Sequence, residues 1–147
     1  MKALVIYDSL YGNTEQIAKA IGQGIGEDTK VVSSAEVDIK ALGGYDLIII
    51  GSPTQGGKPM KTAQAFLDKL PVGVLKDKKV ASFDTRDRGR WVKIFGYAAD
   101  RIEKVLMEKG GNIVASGEGF FVKTVKGPLI DGELERAAAW GKAMATK

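Results

Sequence analysis

Residues 2–14 read KALVIYDSLYGNT, an apolar run that is followed at once by a small polar loop. The run Lys2–Tyr7 is typical of a buried strand. A helical pattern follows at Asn13–Ile25, where isoleucine recurs at every fourth position from 17 to 25. The first turn of a helix presents unpaired N–H groups and a partial positive charge. This order of strand, loop and helix predicts that Ser9–Thr14 is a phosphate-gripping loop in an α/β fold.

The same alternation of strand and helix continues to the end of the chain. We predict strands at Lys30–Ser33, Tyr45–Ile50 and Lys79–Phe83, a fifth strand broken around Gly117, and helices at Lys58–Leu70, Ile94–Lys109 and after Asp131. Repeated strand–helix units favour a parallel sheet with helices on both faces. We therefore expect one domain, residues 1–147, with a three-layer, doubly wound, five-stranded parallel sheet in the order 2-1-3-4-5.

Local signals suggest where the helices begin and end. We interpret Asn13 with Gln16 as a capping box and expect Gly24 and Gly26 to mark the end of the first helix. Pro59 suits the first turn of the second helix. In the last helix, the spacing predicts that Leu134 faces inward.

The chain contains no cysteine and no histidine. This composition excludes disulfides, thiolate or histidine metal sites, cysteine nucleophiles and Ser-His-Asp triads. We expect no catalytic residue and no metal, so redox chemistry requires a borrowed cofactor. No apolar run approaches the roughly 20 residues that span a bilayer, and no secretory signal is visible. We therefore expect a cytoplasmic protein without a membrane anchor.

Basic residues outnumber acidic ones by 22 to 18, a net charge of +4. One interpretation is a mixed, solvated surface. The other is a basic face for an acidic partner or ligand. We do not expect nucleic-acid binding, because the chain has neither a recognised binding motif nor a dense basic run.

In such sheets, ligands bind at the carboxyl ends of the strands that flank the point where the strand order reverses, here strands one and three, so three loops at this edge are candidates for a site. They are Asp8–Asn13, Gly51–Lys58 and Asp84–Trp91. The second is rich in glycine and proline, and the third carries three arginines and a tryptophan. Each loop has a plainer interpretation: a helix cap and turn, an ordinary connection, and an aromatic packed on a helix beside solvated arginines.

Taken together, these loops resemble those of the flavodoxins. The resemblance covers essentially the whole chain and is strongest at YDSLYGNTE (7–15), GSPT (51–54) and FDTR (83–86). The segments GPL (127–129) and GELERA (132–137) are similar to small archaeal and bacterial members. The resemblance implies non-covalent flavin mononucleotide (FMN) and an electron carrier rather than an enzyme.

The resemblance also implies which residues bind the cofactor. The phosphate loop consists of Ser9, Leu10, Tyr11, Gly12, Asn13 and Thr14. One side of the flavin ring is lined by Ser52, Pro53, Thr54, Gln55, Gly56 and Gly57. The other side is lined by Asp84, Thr85, Arg86 and Arg90, with Trp91 as the candidate stacking residue. The chain departs from the family in having Tyr11 in place of a hydroxyl residue, no aromatic in the second loop and a basic composition.

The implied function is the transfer of single electrons between a donor reductase or oxidoreductase and an acceptor protein, by a monomer. Two hypotheses concern tuning of the flavin. The Gly56-Gly57 peptide presents a carbonyl to the flavin N5–H, since glycine makes such a rotation cheap. Arg86, Arg88 or Arg90 stabilises the reduced, anionic flavin if it lies near the pyrimidine edge.

The main alternative is an FMN-dependent NAD(P)H:quinone reductase of the flavodoxin-like group. A signalling receiver domain is rejected because the third strand does not end in a phosphorylatable aspartate. The glycines of Gly22–Gly26 only superficially suggest a dinucleotide site, since they end a helix rather than follow a strand.

Overall fold

Strands and helices alternate along the chain as the sequence pattern predicts. A computed structural model of the protein describes residues 1–88 and 96–147. The strands are β1 (Ala3–Tyr7), β2 (Thr29–Ser33), β3 (Leu47–Pro53), β4 (Lys79–Arg86), β5 (Asn112–Ile113) and β6 (Glu118–Phe121). The helices of the described part are α1 (Asn13–Ile25), α2 (Lys61–Lys69), α3 (Ala98–Glu108) and α4 (Glu133–Ala145), with short 3₁₀ turns at Ser34–Glu36 and Ile39–Gly44.

The sheet is parallel and has the strand order β2-β1-β3-β4-β5. The short strand β6 pairs with the carboxyl end of β4, so β5 and β6 form the two parts of a broken fifth strand. The predicted order 2-1-3-4-5 is therefore confirmed. Tyr7 pairs with Gly51, and Gly51 pairs with Phe83, so the loops after β1, β3 and β4 leave the sheet at one edge.

The core lies on both faces of this sheet. On one face α1 and α4 cover a cluster that includes Ile17, Phe83 and Phe120. Trp140 of α4 completes this cluster with edge-on contacts to both phenylalanine rings, at 6.4 and 6.1 Å between centroids. On the other face α2 and α3 bury Leu67 and other aliphatic side chains. Each fully buried side chain of this size contributes about 1.5–3 kcal/mol, so the two layers hold the carboxyl edge in place.

Helices α1 and α4 approach each other closely at glycine. A Cβ on Gly24 would stand 1.9 Å from the carbonyl oxygen of Ala138, and a Cβ on Gly141 would stand 2.3 Å from that of Ile21. Gly24 is thus a helix-contact residue inside α1 and does not mark its end. The helix ends at Ile25 with Gly26 as its C-cap, at a φ of 123°, so the expected end at Gly26 is confirmed.

Three of the predicted helix signals are wrong. Gly12 is the N-cap of α1, so Asn13 is already helical and forms no capping box. Pro59 precedes α2, which begins at Lys61 after the cap Met60. Leu134 is 42% exposed because it lies in the first turn of α4, at a surface groove against α1.

Strand β4 is longer than predicted. It continues to Arg86 rather than ending at Phe83, because β6 supplies parallel pairing partners for residues 83–86. Asp84 and Thr85 are therefore buried strand residues and not loop residues. In residues 1–88 and 96–147, no helix has the length and apolar character needed to cross a membrane.

Candidate functional site

A cleft opens at the carboxyl edge of the sheet, where the loops after β1, β3, β4 and β6 meet. Its empty volume is about 440 Å³, counted out into the solvent at its mouth. Its described lining residues are Ser9, Leu10, Tyr11, Asn13, Thr14, Pro53, Thr54, Gln55, Thr85, Arg86, Asp87, Val122 and Val125.

The beginning of α1 supplies the cleft with hydrogen-bond donors. The N–H groups of Asn13, Thr14 and Glu15 precede the first residue that bonds back within the helix, since the Gln16 amide donates to the Gly12 carbonyl at 3.1 Å. Gly12 has a left-handed φ of 91°, and a Cβ there would meet no atom within 4 Å. An anion can therefore approach the backbone, and the helix dipole favours it.

Side chains hold the loop before α1 in shape. The Ser9 Oγ accepts from the Gly12 amide at 3.0 Å, which leaves the Ser9 hydroxyl hydrogen free to donate. The Asn13 side-chain amide donates to the carbonyl of Lys126 at 3.2 Å. A Cβ on Gly127 would stand 2.7 Å from the Asn13 Oδ1. The segment after β6 is thus closely packed against the start of α1.

A pair of hydroxyls joins this loop to the end of β4. The Thr14 and Thr85 Oγ1 atoms lie 2.8 Å apart, and both residues are buried. One hydroxyl donates to the other, so one of the two hydrogens is used within the pair. This bond sets the spacing between the first loop and the third.

The loop after β3 combines a buried serine with a tight turn. The Ser52 Oγ donates to the carbonyl of Pro53 and accepts from the Met60 amide, so Ser52 stabilises the loop from beneath. Gln55 and Lys58 exchange two backbone hydrogen bonds across Gly56 and Gly57. Both glycines have positive φ, 57° and 80°, which is the requirement of a type I′ turn.

Asp84 does not line the cleft, and its carboxylate instead binds the start of α3 and Arg86. Its carboxylate accepts from the Ala99 amide at 2.9 Å, while the Thr54 Oγ1 accepts from the Ala98 amide at 3.0 Å. These two side chains therefore cap α3 from across the sheet. Burial raises the pKa of the Asp84 carboxyl, and its hydrogen bonds to Arg86 and the Ala99 amide oppose that rise.

The guanidinium of Arg86 is engaged in a buried ion pair. It donates to both carboxylate oxygens of Asp84, at 2.7 and 2.8 Å, and its Cζ lies 3.4 Å from the centre of the Tyr97 ring. Its opposite side lies against Gly119, where a Cβ would come within 2.2 Å of the Cζ. The charge of Arg86 is therefore paired with Asp84 although the residue lines the cleft, and the hypothesis that its cation acts on a ligand there stays a prediction.

The structure brings together most of the residues suggested by the sequence. Ten of them line the cleft: Ser9, Leu10, Tyr11, Asn13, Thr14, Pro53, Thr54, Gln55, Thr85 and Arg86. The others that are described do not line it and support its loops instead: Gly12, Ser52, Gly56, Gly57 and Asp84. Arg90 and Trp91 lie outside the described residues.

Sequence reasoning missed three residues that line the cleft: Asp87, and Val122 and Val125 of the segment after β6. The two valines could have been predicted from the sequence. They follow the second half of the fifth strand, whose end lies at the same edge as the ends of β1, β3 and β4. Among the described residues, no three potential metal-ligating carboxylates lie together.

Comparison with known proteins identifies the family. The family model described as Flavodoxin matches residues 5–140. This chain is a member of the flavodoxin family. It is 30% identical over 155 aligned positions to the flavodoxin of Maridesulfovibrio salexigens, an alignment that covers 99% of this chain and 98% of that one. A solved flavodoxin from the domain Archaea is 27% identical, covers 99% of this chain and 97% of its own, and superimposes with a TM-score of 0.80.

The chain is also similar to an enzyme over part of its length. Over 129 aligned positions, this flavodoxin is 31% identical to an NAD(P)H dehydrogenase (quinone) of Cupriavidus metallidurans. That alignment covers 67% of this chain and 65% of the enzyme. The whole-length match is to flavodoxin, whereas the match to this enzyme is partial.

The cofactor of flavodoxins is FMN, and the donor set of the cleft fits it. The neutral donors at the start of α1 suit a phosphate, since they supply hydrogen bonds and a helix dipole without a cation. The apolar and amide groups of Pro53, Gln55 and Val122 suit a flat ring with polar edges. The family prediction and the FMN prediction are both confirmed.

Proposed function

We propose that this flavodoxin carries single electrons between a donor and an acceptor protein through FMN held in the cleft. The observation that supports this most is the meeting of an anion-binding helix start with the ends of β3 and β4 in one open cleft. When bound, FMN supplies the redox chemistry, and the protein binds it, orients it and adjusts its potentials.

The phosphate belongs at the loop before α1. The Asn13 and Thr14 amides and the hydroxyl of Ser9 would donate to its oxygens, and Gly12 would let it approach. Tyr11 and Leu10 lie in the same loop. Both are exposed at the cleft mouth, so their side chains would cover the ribityl chain or the ring edge rather than the phosphate oxygens.

The flavin ring belongs between two walls. One wall is formed by Pro53, Thr54 and Gln55, with Ser52 and the Gly56-Gly57 turn behind them. The other contains Thr85 of β4 and, by resemblance alone, Arg90 and Trp91. A hydrogen bond from the flavin to the Gly56-Gly57 peptide would tune the potentials, because a turn of two glycines changes orientation at low cost.

Potentiometric titration of the FMN-loaded protein tests single-electron transfer. We expect two separated one-electron potentials, with the first electron taken up more readily than the second. Gly57→Ala should narrow the separation between these two potentials, because it restricts the Gly56-Gly57 peptide. The control is Gly73→Ala, at a second positive-φ glycine (85°) in the loop that precedes β4. A single two-electron wave in the unmodified protein would overturn the proposal.

A second candidate function is reduction of quinones at the expense of NAD(P)H, which the partial match to the quinone enzyme favours. Steady consumption of NAD(P)H with a quinone, in the absence of any separate reductase, would support the enzyme. We expect no turnover above the rate of free FMN, and electron uptake only when a reductase is added.

A further inference from the structure

The segment that follows β6 folds back on itself beside the cleft. Val122 and Leu129 form an antiparallel bridge at its base. At its tip the Gly127 amide donates to the carbonyl of Thr124 at 2.9 Å, and the Thr124 hydroxyl donates to the carbonyl of Gly127 at 2.7 Å. We call residues 122–129 the hairpin. These hydrogen bonds give it a definite shape next to the site.

The hairpin is attached to the start of α1. The side-chain amide of Asn13, a buried residue, donates to the carbonyl of Lys126 at 3.2 Å. Gly127 follows with a φ of 105°, and a Cβ there would stand 2.7 Å from the Asn13 Oδ1. Glycine allows this close approach of the two backbones. The Asn13 side chain is therefore used to hold the hairpin, which leaves the Asn13 backbone amide for a phosphate.

One face of the hairpin lines the cleft through two valines, Val122 and Val125. Val122 is 5% exposed and is packed into the protein, whereas Val125 is 68% exposed. Val125 therefore presents an apolar surface to the cleft that the protein itself covers only in part. Burial of such a surface against a ligand is favourable, because it removes apolar area from water.

The hairpin also carries two lysines, Lys123 and Lys126, and no acidic residue. Both lysines are exposed, and within residues 1–88 and 96–147 neither ammonium group forms an ion pair. Of the two, Lys126 is the one whose backbone is bonded to Asn13. A lysine side chain is a flexible four-carbon stem that ends in a compact point charge, so it can turn toward an anion bound nearby.

We propose that the hairpin is a fourth FMN-binding segment, in which Lys126 is the counter-ion of the phosphate and Val125 covers the ribityl chain. The inference rests on the proposed carrier function, because it takes the phosphate to lie at the start of α1. It adds a cation to a phosphate loop whose own donors are neutral. A phosphate monoester carries about two negative charges at neutral pH, so a single lysine lowers this charge without cancelling it.

The position of Val125 in the chain decides which part of FMN it contacts. Val125 directly precedes Lys126, which is bonded to Asn13 at the start of α1. Its side chain therefore lies at the phosphate end of the cleft, where the ribityl chain of FMN joins the phosphate. The flavin ring lies further along, between the loops that follow β3 and β4.

A comparison of two flavins tests the cation. FMN and riboflavin share the ring and the ribityl chain, and only FMN carries the phosphate. The dissociation constant of the full-length apoprotein for each flavin is measured by quenching of flavin fluorescence. We expect Lys126→Met to weaken FMN binding about fivefold at low salt and to leave riboflavin binding unchanged. The loss should shrink as salt is raised to about 1 M, because salt screens the charges.

Two further lysines provide matched controls for Lys126→Met. Lys123 lies in the same hairpin and Lys142 lies in α4, and both are exposed. Replacing either by methionine makes the same change in net charge at a residue that is not bonded to Asn13. We expect each control to bind FMN within about twofold of the unmodified protein. A control that loses as much affinity as Lys126→Met overturns the counter-ion role, because the effect is then one of net charge.

The contact with the ribityl chain has its own test. Val125→Ser should weaken the binding of FMN and of riboflavin about fourfold each, because both flavins contain this chain. The control is Val72→Ser, at a residue that is 84% exposed and does not line the cleft. It should change neither dissociation constant. A loss in Val125→Ser that is confined to FMN, or an equal loss in Val72→Ser, overturns the contact.

The outcomes separate this inference from the proposed function. An unchanged affinity of Lys126→Met for FMN, in a protein that still binds FMN more tightly than riboflavin, overturns the counter-ion and leaves the phosphate at the start of α1. Equal affinities of the unmodified protein for both flavins overturn both. The carrier function is tested separately by the two one-electron potentials, which all of these variants should retain. A single two-electron wave in the unmodified protein overturns that function, whatever the hairpin variants show.

Discussion

The guanidinium of Arg86 binds both carboxylate oxygens of Asp84 and stacks at 3.4 Å on the ring of Tyr97. The Arg86 side chain is only 13% exposed and that of Asp84 is fully buried. Because Asp84 also caps α3, this pair ties the end of β4 to the start of the helix that follows. We regard Arg86 as a positioning residue for the third loop.

We predict that Arg86→Leu lowers the free energy of unfolding by about 3 kcal/mol, because it leaves the Asp84 carboxylate buried without its cation. Urea denaturation of the apoprotein measures this loss.

The double variant Asp84→Asn, Arg86→Leu provides the control, since it removes both charges and retains a side-chain acceptor for the Ala99 amide. It should recover much of the lost stability. Arg88→Ala, at an exposed cation, should cost less than about 1 kcal/mol. Equal losses in Arg86→Leu and Arg88→Ala would contradict the role assigned to the ion pair.

The hydroxyl pair of Thr14 and Thr85 leads to a second prediction. Thr14→Val leaves the buried Thr85 hydroxyl without its partner, which costs about 1–3 kcal/mol. Thr14→Val combined with Thr85→Val should cost clearly less than the sum of the two single changes. Additive losses in thermal or urea unfolding would show that the two hydroxyls do not depend on each other.

The ion pair of Glu133 with Arg136 predicts how stability depends on pH. The Glu133 carboxylate accepts from the Phe121 amide at 2.7 Å and from the Arg136 guanidinium at 2.7 and 2.9 Å. The bonds from Arg136 are the main reason why the pKa of Glu133 lies below its ordinary value. Since the folded chain favours the ionised form, this stabilisation is complete above the unfolded pKa of about 4.3 and is lost as pH falls through the lower folded pKa.

Glu133→Gln should therefore lower the free energy of unfolding by about 1–3 kcal/mol at pH 7 and by less near pH 3. The measurement is a set of urea transitions over this range in both proteins. A difference that does not change with pH would contradict the ionic part of the interaction.

Much of the fold was predictable because apolar periodicity and turn residues determine it locally. The strand order follows from repeated strand–helix units, and the bounds of α1 agree with its isoleucine spacing. Helix ends were less predictable. Glycine commonly ends a helix, yet Gly24 lies within α1, where the backbone of α4 approaches it closely.

The site was predictable where a loop directly follows a strand, as at residues 9–14. It was less predictable where tertiary pairing decides the outcome. Asp84 and Arg86 were expected in a loop, but β6, more than thirty residues later in the chain, extends the strand through both. No local pattern could show that Arg86 would be paired with Asp84, since two residues along a strand lie on the same face whether or not they are bonded.

The central claim is that the start of α1 holds the phosphate of FMN. Two glycines allow a matched test: Gly12 and Gly132 are both helix N-caps, with φ/ψ of 91°/−8° and 90°/−8°, and neither would place a Cβ within 4 Å of another atom. Alanine at either position therefore carries the same backbone strain, about 1 kcal/mol.

The decisive measurement is the dissociation constant of the apoprotein for FMN and for riboflavin, which lacks the phosphate, by flavin fluorescence quenching. We predict that FMN binds about 100-fold or more tightly than riboflavin, a difference of about 3 kcal/mol. Gly12→Ala should reduce that difference, whereas Gly132→Ala should leave it unchanged. Equal affinities for the two flavins, or equal effects of the two alanines, would contradict the claim.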